Sequence, residues 1–109
     1  MTPNRRTILM GALGSALFPA TGARAEGRDH KVSIRNFTFE PETQTVAVGD
    51  RILFINEDLA PHTATADDGS WDTGALEQGQ SKQLIVADDW TPTYFCAFHP
   101  AMTGRLNIG

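Results

Sequence analysis

The sequence predicts an all-β protein, an antiparallel sandwich or barrel. Two observations carry this expectation. Short β-rich runs, about seven of them, recur between turn signals at roughly 8–12-residue intervals. No long stretch repeats its apolar residues at a helical period, and no internal repeat or low-complexity tract is present.

The runs follow in order. "KVSIRNF" alternates Val32 and Ile34 with polar neighbours, the pattern of a half-buried strand. Residues 26–30 ahead of it read as a loose lead-in, with His30 solvated among Arg28, Asp29 and Lys31. "TVAV" (45–48) is closed by Gly49-Asp50. "RILFIN" (51–56) is almost continuously apolar, as expected of a central strand. "DDGSWDTG" (67–74) is a turn-rich segment around Trp71. "SKQLIV" (81–86) follows Gly79, "TYFC" (93–96) is β-rich, and "GRLNIG" alternates Leu106 and Ile108.

The first 25 residues read differently. Arg5 and Arg6 precede an 11-residue uncharged run from Ile8 to Phe18, and Ala23-Arg24-Ala25 follows. Basic start, apolar middle and A-x-A end are the order of a cleavable export signal. The apolar run is too short for a membrane span, which needs about 20 residues. The twin arginine is compatible with export of a folded protein. The expected organisation is therefore a removable signal over 1–25 and one domain over 26–109, located in the periplasm with no membrane anchor in the mature form.

That domain would hold six Lys/Arg and all 13 Asp/Glu, a formal charge of −7 against −4 for the whole chain. Such a surface disfavours nucleic acid as a partner and favours a partner with a basic patch. Export also makes the cysteine count informative. Small exported domains use cysteines in pairs, yet Cys96 is the single cysteine here, so no intrachain disulfide is available.

Cys96 sits in "YFCAFHPAM", with His99 three positions on and Met102 three beyond that. Thiolate, imidazole and thioether are soft or borderline metal donors. An extended strand would hold them about 10 Å apart, whereas a tight loop could ring them around one point. Pro100 fixes its own φ and biases His99 away from helical geometry. Electron-transfer copper takes two His and one Cys with a weak axial Met, so a second histidine must come from elsewhere. His62, in "NEDLAPHTAT" just past the "RILFIN" strand, is the better candidate than His30.

These pieces resemble the type 1 (blue) copper cupredoxins. "TYFCAFHPAM" with an upstream "PH" is similar to the amicyanin and plastocyanin group, and the short Cys-x-x-His-x-x-Met loop is most similar to amicyanin. "FINEDLAPHT", "ADDGSWDTG", "LEQGQS" and "MTGRLNIG" extend the resemblance over nearly all of Lys31 to Ile108. It implies a Greek-key β-sandwich of seven to eight strands and one copper ion held by His62, Cys96, His99 and Met102. It also implies that Asn56 helps tie the two ligand loops together. One departure is Thr63, where many members have asparagine; its backbone N–H can still reach the cysteine sulfur, and whether its side chain also ties the loops is left open by the sequence.

The function implied is one-electron transfer between Cu(I) and Cu(II), not catalysis. Redox partners, a dehydrogenase or a cytochrome, are expected to dock a monomer near His99, on an apolar patch of Pro61, Phe98, Pro100, Ala101 and Met102. The alternative is a periplasmic copper-binding or copper-delivery protein using the same residues. An enzyme with a cysteine nucleophile would need a substrate cleft, and a domain of 84 residues leaves little room for one.

Overall fold

The alternating runs bury one face each, and two such faces close on one another. A computed structural model of the chain describes residues 27–109. The expected export segment 1–25 lies outside the described residues. The strands are β1 (Asp29–Arg35), β2 (Thr38–Glu40), β3 (Thr43–Val46), β4 (Arg51–Asn56), β5 (Thr65–Ala66), β6 (Ser81–Ile85), β7 (Thr93–Phe95) and β8 (Thr103–Ile108). One sheet has the order β2-β1-β4-β6 and the other β3-β8-β7-β5. No helix among the described residues is long and apolar enough to cross a membrane.

The sandwich is present but its sheets are mixed, not antiparallel as expected. β1 runs parallel to β4, and β3 parallel to β8. The reason is connectivity. The chain passes from β2 in the first sheet to β3 in the second and back to β4, so β1 and β4 meet through crossovers and not through a hairpin. Side-chain alternation has a period of two in either pairing mode, so it cannot distinguish them.

Val32, Ile34, Phe39, Ile52 and Phe54 from the first sheet face Val46, Tyr94 and Leu106 from the second. Tyr94 is the hub. Its ring lies 4.7 Å from Phe39, 5.7 Å from Phe54 and 5.2 Å from Trp71, centroid to centroid. Trp71, in the turn-rich segment, stacks on Trp90 and donates its indole N–H to the Thr91 carbonyl at 2.9 Å. Buried aromatics of this kind supply much of the packing that keeps the loops above them still.

Three readings of the first strand are corrected. β1 begins at Asp29, so 29 and 30 are not a loose lead-in. His30 is not solvated: its side chain is 15% exposed, and Nε2 lies 2.7 Å from Asp50 Oδ2. Parallel pairing with β4 draws it in, opposite Ile52. At the other end, the run read as strand through Phe37 stops at Arg35, and Asn36-Phe37 form the turn into β2.

Asp50 also accepts the N–H groups of Arg28 and Ala47, both at 2.9 Å. Burial pushes its carboxyl up, but the Arg28 N–H, His30 and the Ala47 N–H outweigh this and bring it down to about 2. A depressed carboxylate contributes stability above its unfolded value, and that contribution is lost as pH falls through the folded one. Stability from Asp50 is therefore full near neutral pH and disappears between the unfolded value of 3.8 and about 2. Asp50→Asn is expected to cost about 1–3 kcal/mol near neutral pH. Urea denaturation near neutral pH and again near pH 2 checks this: the variant's deficit shrinks in acid, and a deficit independent of pH would refute it.

Candidate metal centre

Cys96 directly follows β7, and the chain turns back into β8 only at Thr103. The loop between is closed by a hydrogen bond at every third residue. His99 N–H donates to the Cys96 carbonyl at 3.1 Å, Met102 N–H to the His99 carbonyl at 2.8 Å, and Cys96 N–H to the Met102 carbonyl at 3.0 Å. The Cys-x-x-His-x-x-Met spacing is thus the spacing of the loop's own hydrogen bonds. All three side chains are carried by one tight ring of backbone, as the sequence expectation required.

His62 enters from the loop after β4. Its N–H and carbonyl pair with Leu76, at 3.1 and 2.8 Å. It is fully buried, as is Cys96, while Met102 is 6% exposed. Nδ1 of His62 and Nδ1 of His99 each lie 3.7 Å from Cys96 Sγ. Donor atoms of the three residues fall within 4.8 Å of one another. A buried thiol facing two imidazole nitrogens, with a buried thioether at the foot of the same loop, is a coherent soft donor set and fits a copper ion. His30, the other histidine considered, is tied to Asp50 and takes no part.

The imidazoles are oriented by partners that sequence reasoning missed. Asp58 Oδ2 lies 2.8 Å from His62 Nε2, which fixes the proton on Nε2 and leaves Nδ1 free to face the sulfur. Asp58 also accepts from the N–H groups of Asn36 and Phe37. Burial raises its carboxyl, but the bonds from Phe37, Asn36 and His62 outweigh that and hold it below the ordinary value. The Phe37 ring meets both imidazoles edge-on. An acidic residue four positions before a candidate ligand was a signal for Asp58; nothing local marked Phe37.

The tie between the ligand loops is also reassigned. Asn56 Nδ2 donates to the carbonyls of Ala60 and Leu76, and its Oδ1 accepts from Asp58 N–H. It organises the His62 loop and does not reach the Cys96 loop. Thr63 does. Its N–H donates to Cys96 Sγ at 3.4 Å, and its hydroxyl accepts from Ala97 N–H at 2.8 Å. A side-chain tie is therefore present, made by a hydroxyl. The same hydroxyl lies 2.9 Å from that of Thr65, which donates to Asp72 Oδ1. Thr63→Val keeps the shape but leaves the Ala97 N–H without its acceptor. It is expected to cost about 1–2 kcal/mol and Thr63→Ser far less, read from urea denaturation midpoints.

The expected apolar patch is mostly at the surface. Phe98 is 52% exposed, Pro100 and Ala101 are exposed, and Pro61 is half-buried. Met102 is not part of it, because its side chain is buried. Phe37 and Leu59, 49% and 84% exposed, are further apolar side chains from the hairpin and loop that carry Asp58 and its partners.

This sandwich is shared with solved structures. A reduced amicyanin variant is 27% identical with a TM-score of 0.64, over 74% of this chain and 82% of that one. The chain resembles the type 1 copper cupredoxins in fold and in donor set. A purple cupredoxin from Nitrosopumilus maritimus matches at 20% identity and TM-score 0.64, over 74% of this chain and 100% of that one. A copper-containing nitrite reductase from Thermus scotoductus SA-01 matches at 22% identity and TM-score 0.65. That match takes in 88% of this chain but only 24% of the reductase. These last two likenesses are of fold alone. No family model matches the sequence. Within the cupredoxin fold, the His62, Cys96, His99 and Met102 pattern is that of a type 1 site, and one copper ion is expected there.

Proposed function

We propose that the chain is a periplasmic blue-copper electron carrier whose copper is held by His62, Cys96, His99 and Met102. The observation that carries this is the convergence of two imidazole nitrogens, from separate loops, on one fully buried sulfur at 3.7 Å each. Bound there, copper supplies one-electron chemistry between Cu(I) and Cu(II). The chain's own residues hold the donors in place. Loop hydrogen bonds fix residues 96–102, Asp58 orients His62, and the Thr63 N–H steadies the sulfur. A site already held needs little rearrangement when its charge changes.

His99 is the proposed port. It is half-buried, while His62 and Cys96 are fully buried, so it is the ligand nearest to a partner. The exposed apolar side chains around it suit a brief encounter with a redox protein, a dehydrogenase or a cytochrome, through a small contact. The twin arginine and A-x-A pattern of the first 25 residues support the periplasm. Carrier and not enzyme is our reading, because a sulfur with no exposed surface offers no place for a substrate.

The test is a visible spectrum of the purified chain with one equivalent of Cu(II), then ascorbate, then reoxidation. An intense blue band that bleaches and returns is expected. Loss of copper to a chelator on reduction would favour delivery over electron transfer, and the absence of the band would overturn the copper-thiolate site.

A further inference from the structure

The turn between β1 and β2 has an unusual backbone. Asn36 and Phe37 both have positive φ, 55° and 57°. Two-residue hairpin turns of this kind favour glycine or asparagine, and a bulky aromatic at positive φ is an outlier. Such strain persists only where surrounding contacts hold it, and it clusters at functional sites. Here one side chain does the holding. Asp58 Oδ1 accepts from Asn36 N–H at 2.8 Å, and Oδ2 from Phe37 N–H at 3.0 Å. Oδ2 also meets His62 Nε2 at 2.8 Å. Asp58 is itself fixed, since its N–H donates to Asn56 Oδ1.

The strained turn delivers the Phe37 ring to the metal centre. Its centroid lies 5.0 Å from that of His62 and 4.9 Å from that of His99, with interplanar angles of 86° to both. The imidazoles are 5.1 Å apart, so the three rings form a near-equilateral triangle. Phe37 is 49% exposed, so it presents an edge contact to both ligands while part of it faces water. An aromatic kept half in water and on a strained backbone is not explained by core packing.

We propose that Asp58 and Phe37 form a latch over the copper centre. Phe37 is a lid that keeps water and chelators from the ligands and restrains His99, the less buried imidazole. Asp58 is a positioning residue that acts on His99 through Phe37, while acting on His62 directly. The latch deepens the electron-carrier reading and rests on it for its role, though its geometry is testable without metal.

The experiment compares wild type, Phe37→Ala, Phe37→Leu and Asp58→Asn. In the copper-free chain, proton NMR reads the ring protons of His99, which the Phe37 ring current displaces. Phe37→Ala removes that displacement. The latch predicts that Asp58→Asn moves the His99 protons toward the Phe37→Ala position, although the side-chain hydrogen bonds of Asp58 run to Asn36, Phe37 and His62 and not to His99. In the copper-loaded chain, extraction by a chelator is expected to speed up about tenfold in Phe37→Ala and in Asp58→Asn, and less in Phe37→Leu, which keeps apolar cover. His99 protons unmoved by Asp58→Asn would overturn the coupling. Extraction from Phe37→Ala at the wild-type rate would overturn the lid. If wild type forms no blue site, the carrier reading fails, while the metal-free spectra still decide the latch.

Discussion

Cys96→Ser is expected to abolish the intense visible band of the Cu(II) protein and to weaken copper binding by at least about 100-fold. That is the upper end of what losing a ligand-orienting partner alone costs, and a ligand itself should cost no less. The physical reason is the softness of the donor. A thiolate selects copper and supplies strong electronic coupling, whereas a serine hydroxyl is hard and stays protonated. The exchange is nearly isosteric at a fully buried position, so the fold should survive. The Thr63 N–H that now meets the sulfur can meet the hydroxyl oxygen. Absorption, a competition titration against a Cu(I) chelator, and circular dichroism separate the outcomes. An unchanged band with an unchanged fold would show that the sulfur is not a ligand.

The second large effect lies beneath the site. Gly104, on β8, stands opposite Tyr94 on β7. A Cβ added there would come within 2.3 Å of Tyr94 Cζ, 2.5 Å of its hydroxyl oxygen and 2.8 Å of Cε1. The ring cannot swing away, because it is 1% exposed and wedged among Phe39, Phe54 and Trp71. Gly104→Ala is therefore expected to cost about 3 kcal/mol or more, by overpacking and not by backbone strain. The Tyr94 hydroxyl is buried with no hydrogen-bond partner among the described residues. Removing it should thus cost little and relieve part of the clash. Tyr94→Phe in the Gly104→Ala background is expected to recover about 1 kcal/mol. Urea denaturation of the metal-free chain measures both. An undiminished midpoint in Gly104→Ala would mean that the ring has room that its packing does not suggest. Tyr94 precedes Cys96 by two residues, so this contact also sets where the ligand loop starts.

Most of the metal centre was legible in the sequence because most of it is local. Cys96, His99 and Met102 occupy one loop, and their spacing is that of the loop's hydrogen bonds. His62 was legible from its place after a strand and a proline. The supporting residues were less so. Thr63 meets Ala97 across 34 positions, and Asp58 meets Asn36 across 22. No periodicity or spacing rule spans such distances. Phe37 was read as the end of a strand because its neighbours alternate, and alternation carries no sign of φ.

The same division holds for the fold. The sequence by itself determined that the chain is built of short strands with one buried face each, and which side chains could offer soft donors, because both follow from residue type and near-neighbour spacing. Tertiary structure decided that β1 and β4 run parallel and that His30 is drawn onto Asp50. It also decided that a hairpin tip from one sheet reaches the imidazoles of the ligand loops. Those outcomes depend on how the chain crosses between sheets, and crossing order is a property of the whole packed sandwich that no single segment encodes.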